Sequence, residues 1–325
     1  MGNAKMRMEK NNPVLADQAE RLREKLELAY QSGLPMQEGA EPHLAAALSA
    51  TLRRPGSMVR AVLAHRVATA SGLEEARAER LAVALEYFHT ASLLFDDLPC
   101  MDDAKQRRGA PCVHERFGEG TAILAALALV NRGYGLLWRA VSGAANEVAD
   151  RTLEYVEAQL GLAGLLNGQS QDLHFGRAGS GAYTPQQVAV GKTVSLIRLT
   201  LVMPAMLGGA SRRETQLLER IAMLWGLAYQ TLDDLKDVLH QSGAAGKTAA
   251  RDAHLERPNQ ALATGVDAAF DRVETLMRLS DQTVTRLAER RAEMSFLMGL
   301  RLEFDKELAR LREAQEMEAR LALAS

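Results

Sequence analysis

Apolar residues recur at every third or fourth position through most of the chain, and this helical period is the strongest constraint on its fold. Between residues 79 and 95, one such stripe consists of Leu81, Ala84, Leu85, Phe88 and Ser92. The chain is rich in the strong helix formers Ala, Leu, Glu, Arg and Met. No segment shows a convincing strand-like alternation or the rhythm of βαβ units. The sequence therefore predicts an all-α protein with ten or more helices.

Breaks that contain proline or glycine are few between these helices, which indicates one domain. Loops are predicted at 33–42 and 176–185, and Pro99 interrupts the helix that carries Asp96. No linker rich in proline, serine or charge separates two halves, and 325 residues with 47% hydrophobic content can bury a sizeable core. We expect a disordered polar N-terminal segment over residues 1–15 and a single domain over residues 16–325.

Composition excludes several classes of protein. The formal net charge of -2 argues against nucleic-acid binding, which needs a strongly basic face. The two cysteines, Cys100 and Cys112, form no disulfide framework, so we expect a cytoplasmic protein. No activating base for either thiol is evident, and a packing role is expected. The N-terminus lacks an apolar signal core, and we expect no transmembrane segment.

Two acidic clusters stand out at the ends of apolar helical segments, namely residues 96–103 (DDLPCMDD) and 233–237 (DDLKD). A single acidic cluster of this kind is more often an exposed, solvated helix end. Two clusters on core-like helices favour a different interpretation, because packed carboxylates repel one another unless a cation or ligand neutralises them. The pair predicts a site for cations.

The spacing of the carboxylates predicts magnesium and a diphosphate. Asp233 and Asp237 are four residues apart and share a helix face, and Asp96 and Asp102 can do the same if the chain bends at Pro99. Hard oxygen ligands of this kind suit magnesium shared with substrate phosphates. Basic residues that can contact phosphate oxygens occur near both clusters, namely Arg107, Arg108, Lys192 and Lys247.

Four segments in order resemble the trans-isoprenyl diphosphate synthases of the polyprenyl synthetase family, most closely bacterial geranylgeranyl and farnesyl diphosphate synthases. They are Glu86–Gly118, Gly168–Leu173, Lys192–Ile197 and Gly226–Asp237. The acidic block followed by Arg107-Arg108-Gly109 is the most specific of these motifs. The resemblance implies an isoprenoid synthase fold, in which a helical bundle surrounds a deep central cavity, and a homodimer. It implies a prenyltransferase that joins an allylic diphosphate to isopentenyl diphosphate.

The resemblance also implies roles for individual residues. About three Mg²⁺ ions would be bound by Asp96, Asp97, Asp102, Asp233 and Asp237. The allylic diphosphate would be held by Arg107, Lys192, Thr193, Gln230 and Lys247. The diphosphate of isopentenyl diphosphate would be held by Arg60, His89 and Arg108. A lone histidine such as His89 is otherwise more often a core residue than a ligand.

The chain departs from the family at one place that matters. Ser57 stands where the family has a lysine that grips isopentenyl diphosphate, although Arg60 is retained. Losing one charge-assisted contact to phosphate costs about 1.5–3 kcal/mol. Arg53 or Arg54 would have to compensate from the preceding turn. The departure places the second substrate in question more than the first.

Residues on the helix before Asp96 give an indication of product length. Ala91 and Ser92, five and four residues earlier, are small and face the growing tail in this family. An aromatic residue there stops the chain at fifteen carbons, so we expect about C15–C20, with C20 favoured. Tyr87 and Phe88 would form a floor. The alternative is that the small residues merely permit helix packing.

Other functions remain open on the sequence alone. One is an enzyme that keeps the allylic diphosphate site but catalyses cyclisation or prenylates another acceptor, as the Ser57 change suggests. Another is a non-catalytic subunit that modulates a partner synthase. A plain helical scaffold would have no reason to place two carboxylate clusters among matched cations.

Overall fold

The computed structural model describes residues 13–36, 38–176, 182–239 and 257–324 and is almost entirely helical. The α-helices are α1 (Pro13–Ser32), α2 (Pro42–Leu52), α3 (Val59–Ala70), α4 (Glu75–Asp96), α5 (Val113–Phe117), α6 (Glu119–Val141), α7 (Asn146–Leu160), α8 (Leu165–Leu173), α9 (Pro185–Ala189), α10 (Ser195–Leu207), α11 (Arg212–Leu239), α12 (Gln260–Thr264), α13 (Val266–Arg290) and α14 (Arg301–Ala324). A π-helical turn covers Val190–Val194, and a 3₁₀ helix covers Ala292–Leu300. The predicted all-α fold is confirmed.

The chain divides into two compact units. Unit 1 consists of Met1–Thr152 and Pro204–Gly209, and unit 2 of Leu153–Met203 and Ala210–Ser325. The single domain expected over residues 16–325 stays a prediction. Of the segment 1–15 expected to be disordered, residues 13–15 lie in α1, and residues 1–12 lie outside the described residues.

Helix α4 is the central helix of unit 1. It packs against α6, α3 and α1. Its buried residues occur all round the helix rather than along one stripe, as expected of a core helix. The apolar stripe in the sequence therefore identified the right helix but understated its burial. The helix ends at Asp96, three residues before Pro99, so the predicted break falls at the end of the helix.

Helix α11 has the corresponding place in unit 2, where it packs against α13, α12 and the π-helical turn. Its N-terminus is held by Glu214. The Glu214 carboxylate accepts hydrogen bonds from Ser211 N (2.7 Å) and from Nε of Arg291, which follows α13 (2.7 Å). The Arg291 side chain lowers the pKa of Glu214 to about 2, with help from Ser211.

Replacing Glu214 with Gln should therefore destabilise the protein. A carboxyl group whose pKa falls from about 4.3 to about 2 on folding contributes on the order of 2–3 kcal/mol. This contribution is fully present above the unfolded-state pKa and is lost as pH falls towards the folded-state pKa. Urea unfolding of the wild type and E214Q should differ by that amount at pH 7, and the difference should shrink as pH falls below about 4 towards 2.

The matched control is E303Q, because Glu303 pairs with Lys306 at the exposed surface (2.8 Å). Exposed pairs of this kind contribute about 0–1 kcal/mol. A difference between wild type and E214Q that stays constant from pH 7 to pH 3 would contradict the assigned role of Glu214.

Among the described residues, two stretches of helix are long and apolar enough to cross a membrane by length and composition alone. They are Glu119–Val141, whose apolar window is 39% buried, and Pro185–Leu207, whose window is 67% buried. Core helices of soluble proteins meet the same two criteria. The expected absence of a transmembrane segment stays a prediction.

Candidate active site

The first acidic segment folds back on the end of α4 in unit 1. The backbone N–H of Asp102 donates to the carbonyl of Asp96 (3.0 Å), and the N–H of Ala104 donates to the carbonyl of Asp97 (3.1 Å). Asp103 adopts a positive φ of 49°, which helps the chain to reverse. The bend after α4 therefore brings the backbones of Asp96 and Asp102 together.

Asp97 has a different environment from Asp96. Its side chain is buried, and both carboxylate oxygens accept hydrogen bonds from Nε of Arg107, at 2.8 and 2.9 Å. The Nη2 atom of Arg107 lies 2.6 Å from Oδ1. In this arrangement Asp97 fixes the position of Arg107. The metal-ligand role of Asp97 stays a prediction.

Cys112 completes this cluster. Burial, together with the neighbouring Asp97, raises the pKa of its thiol to about 12. A thiol with this pKa is protonated at neutral pH and is a poor nucleophile. The cluster agrees with the packing role expected for this cysteine.

Arg107 and Arg108 are presented by a short β-hairpin that the sequence did not predict. Strand β1 (Gln106–Arg107) pairs with strand β2 (Ala110–Pro111). The two loop residues, Arg108 and Gly109, both have positive φ (52° and 74°), as a type I′ turn requires. Two adjacent arginines thereby point to different partners.

Arg108 lies against the loop before α3. Its Nη1 atom donates to the carbonyl of Arg54 (3.2 Å). A Cβ at Gly56 would collide with the guanidinium of Arg108, so a larger residue there would require that side chain to move. Ser57, the residue in place of the family lysine, is exposed in this loop. The side chain of Met58 is buried, and its φ is 56°.

Arg60 and His89 meet inside unit 1. Nη1 of Arg60 lies 3.1 Å from Nε2 of His89. An arginine only donates, so Nε2 must be the acceptor and the imidazole neutral. Burial, together with the charges of Arg60 and Arg108, lowers the pKa of His89 to about 2. The three residues predicted to hold the homoallylic diphosphate therefore influence one another.

Glu86 belongs to the same cluster, although no sequence motif predicts a role for it. Its side chain is buried, and it accepts a hydrogen bond from the N–H of Ala61 in the first turn of α3. Burial raises the pKa of Glu86, while Arg60 and Arg108 oppose the rise. The only sequence signal was a charged residue among the apolar positions of α4.

The second acidic segment lies on α11 in unit 2. Like the first, it has one more exposed and one buried aspartate in its Asp-Asp pair. Asp233 is exposed and Asp237 is half-buried, whereas Asp234 is buried. The Asp234 carboxylate accepts hydrogen bonds from Nε2 of Gln230 (2.9 Å) and from the N–H of Gln260 (2.7 Å). In each Asp-Asp pair, the first residue reaches solvent and the second is an internal anchor.

Lys192 and Thr193 lie in the π-helical turn, a feature often found at functional sites. Nζ of Lys192 donates to Oδ2 of Asp172 on α8 (2.7 Å). Oγ1 of Thr193 donates to Oε1 of Gln230 on α11 (2.6 Å). Three residues predicted at the allylic site are therefore connected to α8 and α11 within unit 2.

Glycines allow this convergence. A Cβ at Gly168 of α8 would lie 2.2 Å from the backbone nitrogen of Lys192, and one at Gly226 of α11 would lie 2.6 Å from Cγ2 of Val194. Both helices can therefore approach the π-helical turn at backbone distance. Asp172 follows Gly168 by one helical turn, which explains why it meets Lys192. Asp172 lies in the Gly168–Leu173 segment, which had carried no individual role.

The donor set fits magnesium. Within the described ranges, no three His, Cys, Asp or Glu side chains form a group that could hold a metal ion alone. Pairs of hard carboxylate oxygens, as at Asp96 with Asp102 and Asp233 with Asp237, suit an ion that keeps waters and shares substrate phosphates. Lys247, predicted to bind the allylic diphosphate, lies outside the described residues.

Residues 41–292 match the family model described as Polyprenyl synthetase, which is well over half of the chain. The chain belongs to the polyprenyl synthetase family. It is 33% identical over 255 residues to a chloroplastic geranylfarnesyl diphosphate synthase of Leucosceptrum canum, covering 77% of this chain and 69% of that protein. It is 34% identical over 229 residues to a geranylgeranyl diphosphate synthase of Pantoea ananas, covering 70% and 75%.

Solved structures show the same fold. An FPP/GFPP synthase of Zymomonas mobilis superposes with a TM-score of 0.75 at 21% identity, covering 88% of this chain and 97% of that one. A Helicobacter pylori geranyltransferase complexed with magnesium and isoprenyl diphosphate gives 0.74 at 23% identity, covering 90% and 97%. The predicted family, isoprenoid synthase fold and prenyltransferase class are confirmed.

Proposed function

We propose that this member of the family condenses an allylic diphosphate with isopentenyl diphosphate and releases a longer all-trans prenyl diphosphate of about C15–C20, with C20 favoured. The observation that carries the proposal is the repeated Asp-Asp arrangement. In both units a buried second aspartate holds a residue predicted to contact the allylic diphosphate, Arg107 in unit 1 and Gln230 in unit 2. The more exposed first aspartate remains accessible to ligands. The names of the relatives agree with this activity.

Magnesium is the proposed cofactor, with about three ions bound per active site. Asp96 and Asp102 in unit 1, and Asp233 and Asp237 in unit 2, are the proposed ligands together with diphosphate oxygens. When bound, the ions would neutralise charge on the departing diphosphate. The magnesium named for the Helicobacter pylori complex supports this assignment.

Basic and polar side chains would hold the allylic diphosphate. Lys192 and Arg107 supply positive charge, and Thr193 and Gln230 supply hydrogen bonds, with Lys247 as a further cation. In the structure Lys192 and Arg107 are each held by a buried carboxylate, Asp172 and Asp97. Pre-positioned cations stabilise charge that develops in the transition state without a cost of reorganisation.

The isopentenyl diphosphate would be held by Arg60, His89 and Arg108, with no lysine at position 57. Its double bond attacks the allylic C1 as the C1–O bond breaks, so a new C–C bond replaces it. The electron pair of the broken bond leaves with pyrophosphate, which then accepts the proton lost from the product. No side-chain nucleophile is required, in agreement with the raised pKa of Cys112.

Product analysis of the purified chain tests this function. Incubation with Mg²⁺, isopentenyl diphosphate and labelled geranyl or farnesyl diphosphate should yield longer diphosphates. Hydrocarbon or alcohol products with unreacted isopentenyl diphosphate would instead support the cyclase, which the exposed Ser57 motivates. Turnover that requires an added partner synthase would support a modulatory subunit.

The residues of α4 that are predicted to face the growing tail should control product length. Ala91 is buried, and Ser92 is half-buried. Phe88 packs edge-on against Tyr134 of α6 (ring centroids 4.9 Å apart), whereas Tyr87 donates to the carbonyl of Tyr30 (2.7 Å). Of Phe88 and Tyr87, we therefore propose Phe88 as the residue that limits the length of the prenyl tail. We expect A91F to shorten the main product and F88A to lengthen it, as measured by mass spectrometry of the products.

The control for these two variants is Y87F, which removes only the hydrogen bond to Tyr30. It should leave the product distribution unchanged. A91F and F88A products of wild-type length would contradict the assigned role of this face of α4.

Helix α6 supports the proposed homodimer. Its large exposed apolar residues include Leu124 (54% exposed), Leu127 (50%), Tyr134 (47%) and Trp138 (67%). These residues recur at spacings of three, seven and four, so they form one stripe. An exposed apolar stripe of this kind favours association. Light scattering should give twice the chain mass of 35.4 kDa, and we propose a cytoplasmic location for the dimer.

A further inference from the structure

Lys236 is the one cation inside the second acidic segment, and it pairs with a carboxylate on the last helix. Nζ of Lys236 on α11 lies 3.0 Å from Oε1 of Glu307 on α14, and the two side chains are 35% and 30% exposed. Lys236 lowers the pKa of Glu307, and the nearby Arg310 contributes to the same shift. Glu307 is therefore a carboxylate at neutral pH, and it gives the ammonium a partner outside the acidic segment.

The packing of α14 fixes the position of Glu307. This helix packs against α11 and α13, and Leu308 and Leu311, close to Glu307 on the same helix, are buried. At the start of α14, Nη1 of Arg301 lies 2.6 Å from Oδ2 of Asp281 on α13. These contacts hold Glu307 opposite Lys236. Helix α14 lies outside residues 41–292, the range that matches the family model.

Without Glu307, the ammonium of Lys236 would have a carboxylate of its own segment within reach. Asp233 lies three residues before Lys236 on α11, and side chains at that spacing are neighbours on a helix. Asp233 is a proposed Mg²⁺ ligand together with Asp237. An ammonium beside Asp233 would compete with the metal ion and repel it, because the Coulomb energy between a monovalent and a divalent charge is substantial at such short distances.

We propose that Glu307 is a positioning residue that holds Lys236 away from the magnesium site of the second acidic segment. This inference rests on the proposed function, because Asp233 and Asp237 are assigned to magnesium there. Glu307 acts only through Lys236 and contacts neither the metal ion nor the substrate. The segment can therefore carry a lysine that docks α14 without a loss of metal affinity.

Calorimetric titration of the full chain with inorganic pyrophosphate, over a range of Mg²⁺ concentrations, tests the proposal without turnover. E307Q nearly keeps the shape of the side chain but removes the negative charge that pairs with Lys236. We expect the Mg²⁺ concentration that supports half-maximal pyrophosphate binding to rise about three- to tenfold. E307D keeps the charge and should recover part of that loss.

The matched control is E303Q. Glu303 pairs with Lys306 at the exposed surface of the same helix (2.8 Å). Exposed pairs of this kind contribute little, so the Mg²⁺ requirement of E303Q should stay within about twofold of the wild type. An equal rise in E303Q and E307Q would show that any lost carboxylate on α14 weakens the site, and would overturn the proposal.

Variants of Lys236 separate the proposal from two simpler explanations. With the ammonium removed, Glu307 should no longer matter, so K236Q and K236Q/E307Q should both stay within about twofold of the wild-type Mg²⁺ requirement. A rise that persists in K236Q/E307Q would mean that Glu307 acts by its own charge or through the fold of α14. A loss of pyrophosphate affinity in K236Q would make Lys236 itself a ligand. Either result would overturn the proposal.

Thermal unfolding supplies the readout for a purely structural pair. K236Q and E307Q break the same ion pair, so their melting temperatures should fall by similar amounts. If the pair is only structural, the two variants should also have equal Mg²⁺ requirements, and that result would overturn the proposal. A raised requirement in E307Q alone supports it.

Failure of this inference is separable from failure of the proposed function. Wild-type protein that elongates allylic diphosphates, while E307Q keeps the wild-type Mg²⁺ requirement, would overturn only the role of Glu307. Wild-type protein that forms no longer diphosphate, while E307Q raises the requirement and K236Q/E307Q restores it, would overturn only the elongation.

Discussion

Replacing Asp102 with Asn should lower kcat at saturating substrates by at least about a hundredfold, the range seen when one preorganised transition-state contact is removed. Asp102 is docked by its backbone on the carbonyl of Asp96, so Asn can occupy the same place with little change in shape. The substitution removes the negative charge that a magnesium ion needs. Steady-state kinetics over a range of Mg²⁺ concentrations measures the effect, and the apparent Mg²⁺ requirement should rise.

The matched control is its neighbour, D103N. Asp103 is exposed and pairs with Lys105 at the surface (2.9 Å). An exposed pair of this kind contributes about 0–1 kcal/mol, so activity should change by no more than a few-fold. Equal losses in D102N and D103N would show that the segment responds to any lost charge, and would remove the specific role of Asp102.

The second large effect is expected at Lys192. K192Q should lower kcat/KM for the allylic substrate by about a hundredfold or more, because a half-buried, pre-positioned cation is lost from the diphosphate. The KM for isopentenyl diphosphate should change little. Kinetics with each substrate varied in turn separates the two effects.

D172N provides the accompanying test. Asp172 accepts the hydrogen bond from Lys192, so its loss should free the lysine without removing the charge. We expect a drop in kcat/KM of about tenfold, smaller than in K192Q, and little further loss when D172N is added to K192Q. K306Q is the control lysine, since Lys306 pairs with exposed Glu303. Additive losses in the double variant would contradict the coupling of Asp172 to Lys192.

Much of this account was predictable from local patterns. The apolar stripe identified α4, and Pro99 indicated its end. The spacing of Asp233 and Asp237 put both on one helix. Adjacent helical residues point about 100° apart, so only one member of each Asp-Asp pair can face the same direction as its more distant partner.

The partners of the buried aspartates were not predictable in the same way. Asp97 meets Arg107 because a hairpin reverses the chain, and Asp234 meets Gln260, which lies 26 residues later in the chain. Neither contact follows from a helical period. The π-helical turn at Lys192 likewise depends on backbone contacts at glycines from two other helices, which only tertiary packing creates.

Buried charged residues outside the acidic clusters were missed for a related reason. Glu86 and Asp172 each occur singly within otherwise ordinary helices, and Arg257, which contacts Asp172, lies shortly before α12. A lone charge is usually solvated, so the sequence favoured that interpretation for all three. Their burial and their partners became visible only in the structure.

The central claim is that the carboxylates bind the diphosphate through magnesium. Calorimetry of inorganic pyrophosphate with wild-type protein and D102N, each with Mg²⁺ and with EDTA, tests it most directly. We predict tight binding only for the wild type with Mg²⁺, and a loss of about tenfold or more in D102N. Equal pyrophosphate affinity in EDTA, or wild-type affinity in D102N, would contradict the account.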